Sequence, residues 1–404
     1  MAGVKPKVNG EKIPRRGGRR ARRKILPRIA VAAALGVLFF SAAPYAATTV
    51  APPTTAVTPG APTTSPGSSG YVNPYTPAAA GAAKAPSNPT DPPGSWEVYP
   101  SPTTANLYAV SFVDANDGWA VGYGTPGGVI LHYQNGTWSV FKTYTGTEYR
   151  QFRDIDIVSR DDGWLVCFNG FAFQGEIWHW DGASWTLFDE PAGTLYCIDM
   201  ISANDGWIGD NPGFLRFNGS NWVIDGYAPD HIYDIQMNSD NAGRALGGHY
   251  IMRRIGSAWV QEASDNTWNL GHIYMFDGGS GWAGGATIST EKGLILRYDG
   301  SWKVDTIFDD IMCIYGFFAL TPDAVWTSGE VNLSPPYDGR ILFFNGNSWL
   351  EVNNPDPDKN AYHDFCFLNE NTGWAVGNHG EIIKYTPNIN VNPTSLGKIK
   401  AVYR

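Results

Sequence analysis

Residues 107–138 read LYAVSFVDANDGWAVGYGTPGGVILHYQNGTW, and this stretch returns with variations along most of the chain. Two anchors mark each return. The first is a Gly-Trp followed by small and apolar residues, as in Gly118-Trp119-Ala120-Val121-Gly122. The second is an aromatic residue, an Asn-Gly or Asp-Gly pair and a Trp, as in Tyr133-Gln134-Asn135-Gly136-Thr137-Trp138. The first anchor recurs at Trp119, Trp164, Trp207, Trp282, Trp326 and Trp374, with Arg244 in the Trp slot of one further copy. The second recurs at Trp138, Trp185, Trp222, Trp259, Trp302 and Trp349, and an orphan copy at Trp96 precedes the first unit. A period of roughly 40 residues holding four short strands is the signature of a propeller blade. Each anchor has seven copies, and the cut between chain start and chain end falls inside a unit. The expectation is an all-β, seven-bladed β-propeller of four-stranded blades, closed by an N-terminal strand.

The propeller occupies 94–387, and the flanking segments have other compositions. Residues 1–28 carry eleven Lys/Arg and one acid, Glu11. The remainder holds 18 basic and 37 acidic residues, a net of −19. So acidic a body argues against a nucleic-acid partner, because neutralising phosphate needs basic surface. Residues 29–47, IAVAAALGVLFFSAAPYAA, form an uncharged apolar run behind the basic block. This is read as a single N-terminal apolar helix, an export signal or a membrane anchor. With Pro44 and Tyr45 spoiling the obvious cleavage positions, the reading favours an uncleaved anchor with its basic side in the cytoplasm. The body is then extracytoplasmic, tethered or secreted. Residues 48–93, rich in Pro, Thr, Ser and Ala, read as a disordered linker, and 388–404 as a C-terminal tail.

Within a unit the strands follow from β-propensity and turn chemistry. Tyr108–Val113 is the inner strand, Gly118–Tyr123 the second, 129–134 the third and 137–141 the outer one. A Trp that recurs once per blade is a packing residue between blades. Trp268 stands outside this frame, in Asp265-Asn266-Thr267-Trp268, and is read as a loop residue available for contact. Cys167, Cys197, Cys313 and Cys366 sit in strand positions and read as buried free thiols, although an oxidising compartment permits disulfides.

Counting back from the Trp slot separates wall from lining. The positions nine and seven residues before it are apolar in every unit, so they share one face and pack between blades. The alternate positions are polar in several units. Eleven before the slot, where the inner strands begin, stand Tyr108, Arg153, Tyr196, Tyr233, Gly271, Tyr315 and His363. Ten before it stand Asp154, Asp234 and Asp364, with His272 in the fifth unit. The inner strands of a propeller surround its central channel. Tyr108, Arg153, Asp154, Tyr196, Tyr233, Asp234, His272, Tyr315, His363 and Asp364 are therefore predicted to ring one channel mouth as a ligand-binding site. The competing reading is that these Asp side chains bond the backbone at strand starts. Loops between second and third strands open on the same face and vary most in length. On the opposite side a third-strand slot is basic in six units, at His132, His179, Arg216, Arg253, Arg297 and Lys384, with Phe343 in the sixth blade. Pairing with turn acids such as Asp117, Asp162 and Asp205 is the favoured account of that row.

Zinc-type Cys/His spacing, a Gly-x-Ser-x-Gly elbow and a phosphate loop are all missing from the sequence, so no catalytic residue, metal or cofactor is assigned. Asp154 and Asp156 could serve glycoside hydrolysis as a carboxylate pair, but no distinct general acid accompanies them. Gly373-Trp374-Ala375-Val376-Gly377-Asn378-His379-Gly380 and Asn116-Asp117-Gly118-Trp119-Ala120-Val121-Gly122 resemble the repeats of the photosystem II stability/assembly-factor propellers, which are akin to the Asp-box repeats of bacterial sialidases. The resemblance covers most of 94–387. It implies a non-catalytic exported propeller that binds protein or glycan. The turns here lack a full Ser-x-Asp-x-Gly-x-Thr-Trp box, and no sialidase site residue is carried over. The expected function is a non-catalytic protein-binding, assembly or scaffold module with an envelope or membrane protein partner. A lectin-like carbohydrate-binding head is the alternative and a glycosidase a more remote one.

Overall fold

The computed structural model describes residues 92–388, except 125–126, 147–149, 211–212, 277–278, 332–337 and 359. The expected N-terminal helix, the linker up to residue 91 and the tail beyond residue 388 lie outside the described residues. Seven four-stranded antiparallel sheets make up the rest. Blade 1 runs Asn106–Asp114, Asp117–Tyr123, Gly127–Gln134 and Thr137–Thr145, from inner to outer strand. The inner strands of blades 2 to 7 are Arg150–Ser159, Cys197–Ser202, Asp234–Ser239, Trp268–Met275, Cys313–Thr321 and Tyr362–Asn369. Each inner strand packs on the next, and the last packs on the first, which closes the ring. Blade 7 takes its outer strand from the chain start: Gly94–Tyr99 pairs antiparallel with Ile382–Pro387, with Trp96 opposite Tyr385. Closure by the N-terminal strand is as the repeat count requires.

The Trp anchors lock blade to blade. All six first-anchor Trp side chains are fully buried. A second-anchor Trp meets the first-anchor Trp of the preceding blade edge-to-face: Trp185 on Trp119 at 5.6 Å, Trp222 on Trp164 at 5.5 Å, Trp349 on Trp282 at 5.3 Å, Trp96 on Trp326 at 5.5 Å and Trp138 on Trp374 at 5.8 Å. That geometry sets the positive ring edge against the negative ring face. Arg244 breaks the series, and the packing changes to suit. Its guanidinium pairs with Glu262 at 2.7 Å, and Trp302 of the next blade donates Nε1–H to the same carboxylate at 2.9 Å.

The glycines of the first anchor are explained by packing. A Cβ on Gly118, Gly206 or Gly373 would overlap the Phe112, Met200 or Phe367 side chain, seven residues before the Trp. In blade 6 the sizes are exchanged, with Val325 in the Gly slot and Ala319 opposite. Three residues after the Trp slot, a Cβ on Gly122, Gly247, Gly285 or Gly377 would fall about 2 Å from a carbonyl oxygen at the start of the inner strand. In blades 1, 5 and 7 that close approach accompanies a β-bulge at Leu107/Ala109, Leu270/His272 and Tyr362/Asp364, and bulges at Phe152/Asp154 and Ile314/Phe317 disrupt the inner register of blades 2 and 6.

Trp268 is corrected by the same feature. The inner strand of blade 5 starts before its bulge, so Trp268 is its first residue, buried against Leu246, Ile251 and Leu270. It is a core side chain and not an exposed loop contact. The four cysteines are buried free thiols, as expected.

Candidate functional site

The bulges decide where the mouth residues point. By strict alternation, the residue eleven before the Trp would share the interblade face with those nine and seven before it. The extra bulged residue breaks that alternation, re-aims the side chain and bends the strand. Tyr108, Arg153 and His363 are such residues. Tyr196 and Tyr233 stand just before the inner strands of blades 3 and 4, their amides donating to Gly209 and Leu246 carbonyls at 3.1 and 2.8 Å.

The side chains form an arc from blade to blade. Tyr233 meets Tyr196 edge-to-face at 5.2 Å. The Arg153 guanidinium lies 6.0 Å from the Tyr196 ring and 5.2 Å from that of Tyr123. Tyr123 stacks on Tyr108 at 4.7 Å, and Tyr108 on His363 at 4.9 Å. His363 meets Tyr315 at 4.9 Å, and Tyr315 meets His272 at 6.3 Å. Seven of the ten sequence-predicted mouth positions stand in this belt, and the other three, Asp154, Asp234 and Asp364, lie beneath it. Tyr123, last in its strand, and His231, 5.4 Å from Tyr196, join it without having been expected. Both stand one step outside the inner strands on elements that reach the same face; an aromatic at the end of a second strand was the available signal for Tyr123.

Burial holds the belt nearly uncharged. It lowers His272 to about 3, with further opposition from His363, and lowers His363 to about 4. His363 Nε2 pairs with Asn378 Oδ1 at 2.8 Å. Burial also raises Tyr233 to about 12 and raises Tyr315, whose hydroxyl donates to Glu330 at 2.6 Å. Arg153 is the one permanent charge in the arc, and it donates to Gln151 Oε1 at 2.7 Å.

Below the belt the acids serve as staples. Each carboxylate ten before the Trp slot accepts two backbone N–H bonds, one from its own strand and one from the next blade. Asp154 bridges Ile155 and Ile198, Asp234 bridges Ile235 and Ile273, and Asp364 bridges Phe365 and Val110, at 2.8–2.9 Å. A second tier lies two residues further on. Ser111 Oγ accepts the Ile157 N–H at 3.1 Å, Asp156 that of Met200 at 2.7 Å, Asp199 that of Met237 and Gln236 that of Met275 at 2.5 Å. Blades 5 to 7 carry aromatic packing at this level instead, with Tyr274 against Phe318 at 5.5 Å and Phe318 stacked on Phe367 at 5.1 Å.

These Asp side chains open onto the channel yet lie deep below its rim, so charge there is poorly solvated. Burial, helped by repulsion from Asp364, raises Asp154 well above the usual carboxylate range and Asp234 to about 7, and burial alone raises Asp364 to about 7. Asp156 is raised to about 6. The backbone bonds oppose these shifts without cancelling them. Among the described residues, no three His, Cys, Asp or Glu side chains gather as a metal-binding group.

No family model matches the sequence, and no curated protein matches it. Solved structures match its fold. YCF48 bound to D1 peptide is 18% identical with a TM-score of 0.58, over 72% of this chain and 97% of that one. YCF48 from Cyanidioschyzon merolae is 15% identical with a TM-score of 0.55, over 73% and 99%. A streptogramin B lyase is 16% identical with a TM-score of 0.55, over 72% and 97%. The likeness of the repeats to photosystem II assembly-factor propellers is therefore met at the level of the fold. The lyase shows that the same architecture also carries catalysis, and fold alone does not choose between these functions.

Proposed function

We propose that this chain is an exported, membrane-tethered or secreted propeller that works as a non-catalytic protein-binding or scaffold module, with the belted channel mouth as its binding face. The observation that carries this reading is the arc of Tyr, His and Arg side chains across all seven blades, from Tyr233 to His272. Aromatic and Arg side chains on a rigid frame are the residue types that dominate protein-binding hot spots, and Tyr108, Arg153, Tyr196, Tyr233 and His272 of the arc are half-buried. A propeller of similar fold holding a D1 peptide adds a precedent for peptide binding. Export and tethering rest on residues 1–47 of the sequence, and an envelope or membrane protein is the partner class that follows. A glycosidase reading loses support, because Asp154 and Asp156 are both engaged with backbone N–H groups. A glycan ligand remains the alternative, since aromatic faces beside polar groups also suit sugars.

The test is to immobilise the full chain and expose it in parallel to detergent-solubilised envelope proteins and to a panel of wall and surface glycans. Retention of a protein by the wild type, lost in a Tyr196→Ala/Tyr233→Ala variant that still unfolds in a single cooperative transition, supports the proposal. Retention of a glycan competed by free sugar assigns the lectin-like function instead, and retention indifferent to the Tyr substitutions removes the mouth from the account.

A further inference from the structure

The partner's charge can be read from the same face. Residues 94–387 carry 14 Lys/Arg and 36 Asp/Glu, a net of −22, and this acidic surplus reaches both ends of the ring. Strands alternate in direction, so inner-strand starts, second-to-third loops and outer-to-inner connections all lie at the mouth. On the opposite, turn face, Asp114, Asp117, Asp162, Asp205, Asp299 and Asp323 each meet a Lys, Arg or His, and exposed Asp161, Asp181, Asp240 and Glu370 have no ion-pair partner among the described residues. At the mouth face Asp309, Asp310 and Asp338 pair with Lys292 and Arg340 and Asp230 lies 3.5 Å from His231, whereas exposed Asp189, Glu190, Asp265, Glu291 and Asp358 have no Lys, Arg or His ion-pair partner among the described residues. Burial keeps His272 and His363 of the belt neutral, so they add no compensating charge.

A second observation concerns the loop after the second strand of blade 2. Phe171 and Phe173 stand 58% and 78% exposed there. This loop is a built structure. Asn169 Oδ1 accepts the Phe171 and Ala172 amides at 3.0 and 3.1 Å, and its Nδ2–H donates to Glu176 at 2.7 Å. Glu176 is buried and also accepts from Arg150 at 2.6 Å and from Trp178 Nε1 at 2.9 Å. Phe173 is held at a φ of 54°, a region that bulky residues avoid and that clusters at ligand clamps. Glu190 reaches the base of the same loop, 2.8 Å from Gln174.

Building on the mouth as the binding face, we infer that its ligand is a basic, apolar polypeptide segment. Its Lys or Arg side chains lie over the Tyr belt and the unpaired rim acids, and one large apolar side chain packs on Phe171 and Phe173. A cation over a Tyr face gains from the ring quadrupole, and surplus rim acids steer a basic segment towards the mouth. The same surplus repels nucleic acid and anionic lipid, which leaves a basic protein segment as the occupant with complementary charge.

Fluorescence anisotropy with the full chain tests this. The probes are labelled synthetic 12-residue peptides of Gly and Ser carrying three Arg and one Trp, the same peptide with Glu for Arg, and the same with Ala for Trp. The Arg/Trp peptide is expected to bind about tenfold or more tightly than the Glu/Trp peptide, and to weaken as salt rises. Phe171→Ser/Phe173→Ser should weaken it about fivefold and leave the Ala-containing peptide unaffected. Asp189→Asn/Glu190→Gln should weaken it more than Asp161→Asn/Asp181→Asn, which removes equal charge from the turn face. Equal losses from the two pairs would make the attraction non-specific and overturn the assignment. Equal or tighter binding of the Glu peptide, lost on Tyr196→Ala/Tyr233→Ala, overturns the basic partner while sustaining the mouth. Binding of any peptide that ignores the Tyr substitutions overturns both.

Discussion

The two faces of the ring are built from one repeat and use it differently. On the turn face the basic row is consumed by structure. His132 stacks on Trp119 at 3.7 Å and bonds Asp117 at 2.8 Å. Arg216 lies 4.7 Å from the Trp207 ring and forms a two-pronged pair with Asp205 at 2.7–2.8 Å. Arg297 and Lys384 cover Trp282 and Trp374 at 5.0 and 4.9 Å, and Phe343 replaces a cation over Trp326 at 4.6 Å. On the mouth face bulges in five blades break the inner-strand alternation, and Asp189, Glu190, Asp265, Glu291 and Asp358 have no Lys, Arg or His ion-pair partner among the described residues, while Asp309, Asp310 and Asp338 pair with Lys292 and Arg340. The difference teaches that the turn face contributes stability, while the mouth face is left with groups a ligand can engage.

Substitutions should respect that division. The largest effect is expected from Trp374→Ala. This fully buried ring touches Tyr99, Phe112, Tyr133 and Trp138, and its loss should cost about 3–5 kcal/mol in denaturant unfolding. Asp225→Ala comes next. Its carboxylate accepts from Trp207 and Trp259 at 2.9 and 3.0 Å and neutralises the buried Arg254. Stranding that cation should cost about 3 kcal/mol or more, and Asp225→Asn should fail to rescue it. A thermal midpoint unchanged in either variant would break the view of this end as a structural face.

The channel staples give a pH test of intermediate size. Asp234 and Asp364 are raised to about 7 in the native state, so the native chain holds protons that the unfolded chain has released. Their contribution to stability is fully present below about pH 4 and declines as pH rises to about 7. The destabilisation caused by Asp234→Asn/Asp364→Asn should accordingly be greatest near pH 4 and shrink towards pH 7. Urea midpoints at several pH values would show it, and a gap that widens with pH would contradict the assigned shifts. The smallest effects on folding belong to the mouth. Tyr196→Ala and Tyr233→Ala, at half-buried positions, should each cost about 1 kcal/mol, and Asp189→Asn less than about 0.5 kcal/mol.

Much of this contrast was legible in the sequence. Blade number, the closing strand at Trp96, the Trp packing and the pairing of the basic row all follow from residue spacing, because a repeat states each packing rule seven times. The ten mouth positions were also legible, since Tyr, Arg and His interrupt an otherwise apolar register. The bulge that turns them was not, because it depends on the approach of the inner-strand backbone to Gly122 and its counterparts. Trp268 was misplaced for the same reason: a strand longer than its repeat peers carries it into the core. The interblade role of Asp154, Asp234 and Asp364 required knowing which amide of the next blade lies opposite. The Phe171/Phe173 loop has no counterpart in other blades, so periodicity was silent about it.

Site-specific photo-crosslinking in the source cells tests the division of the faces most directly. Benzophenone side chains would be placed in the full chain at Tyr233, in the mouth belt, and at Ser220, on an exposed turn of the opposite face. The account predicts a discrete polypeptide adduct from position 233, lost when Tyr196→Ala is added, and no such adduct from position 220. An adduct formed equally or preferentially from position 220 would contradict it.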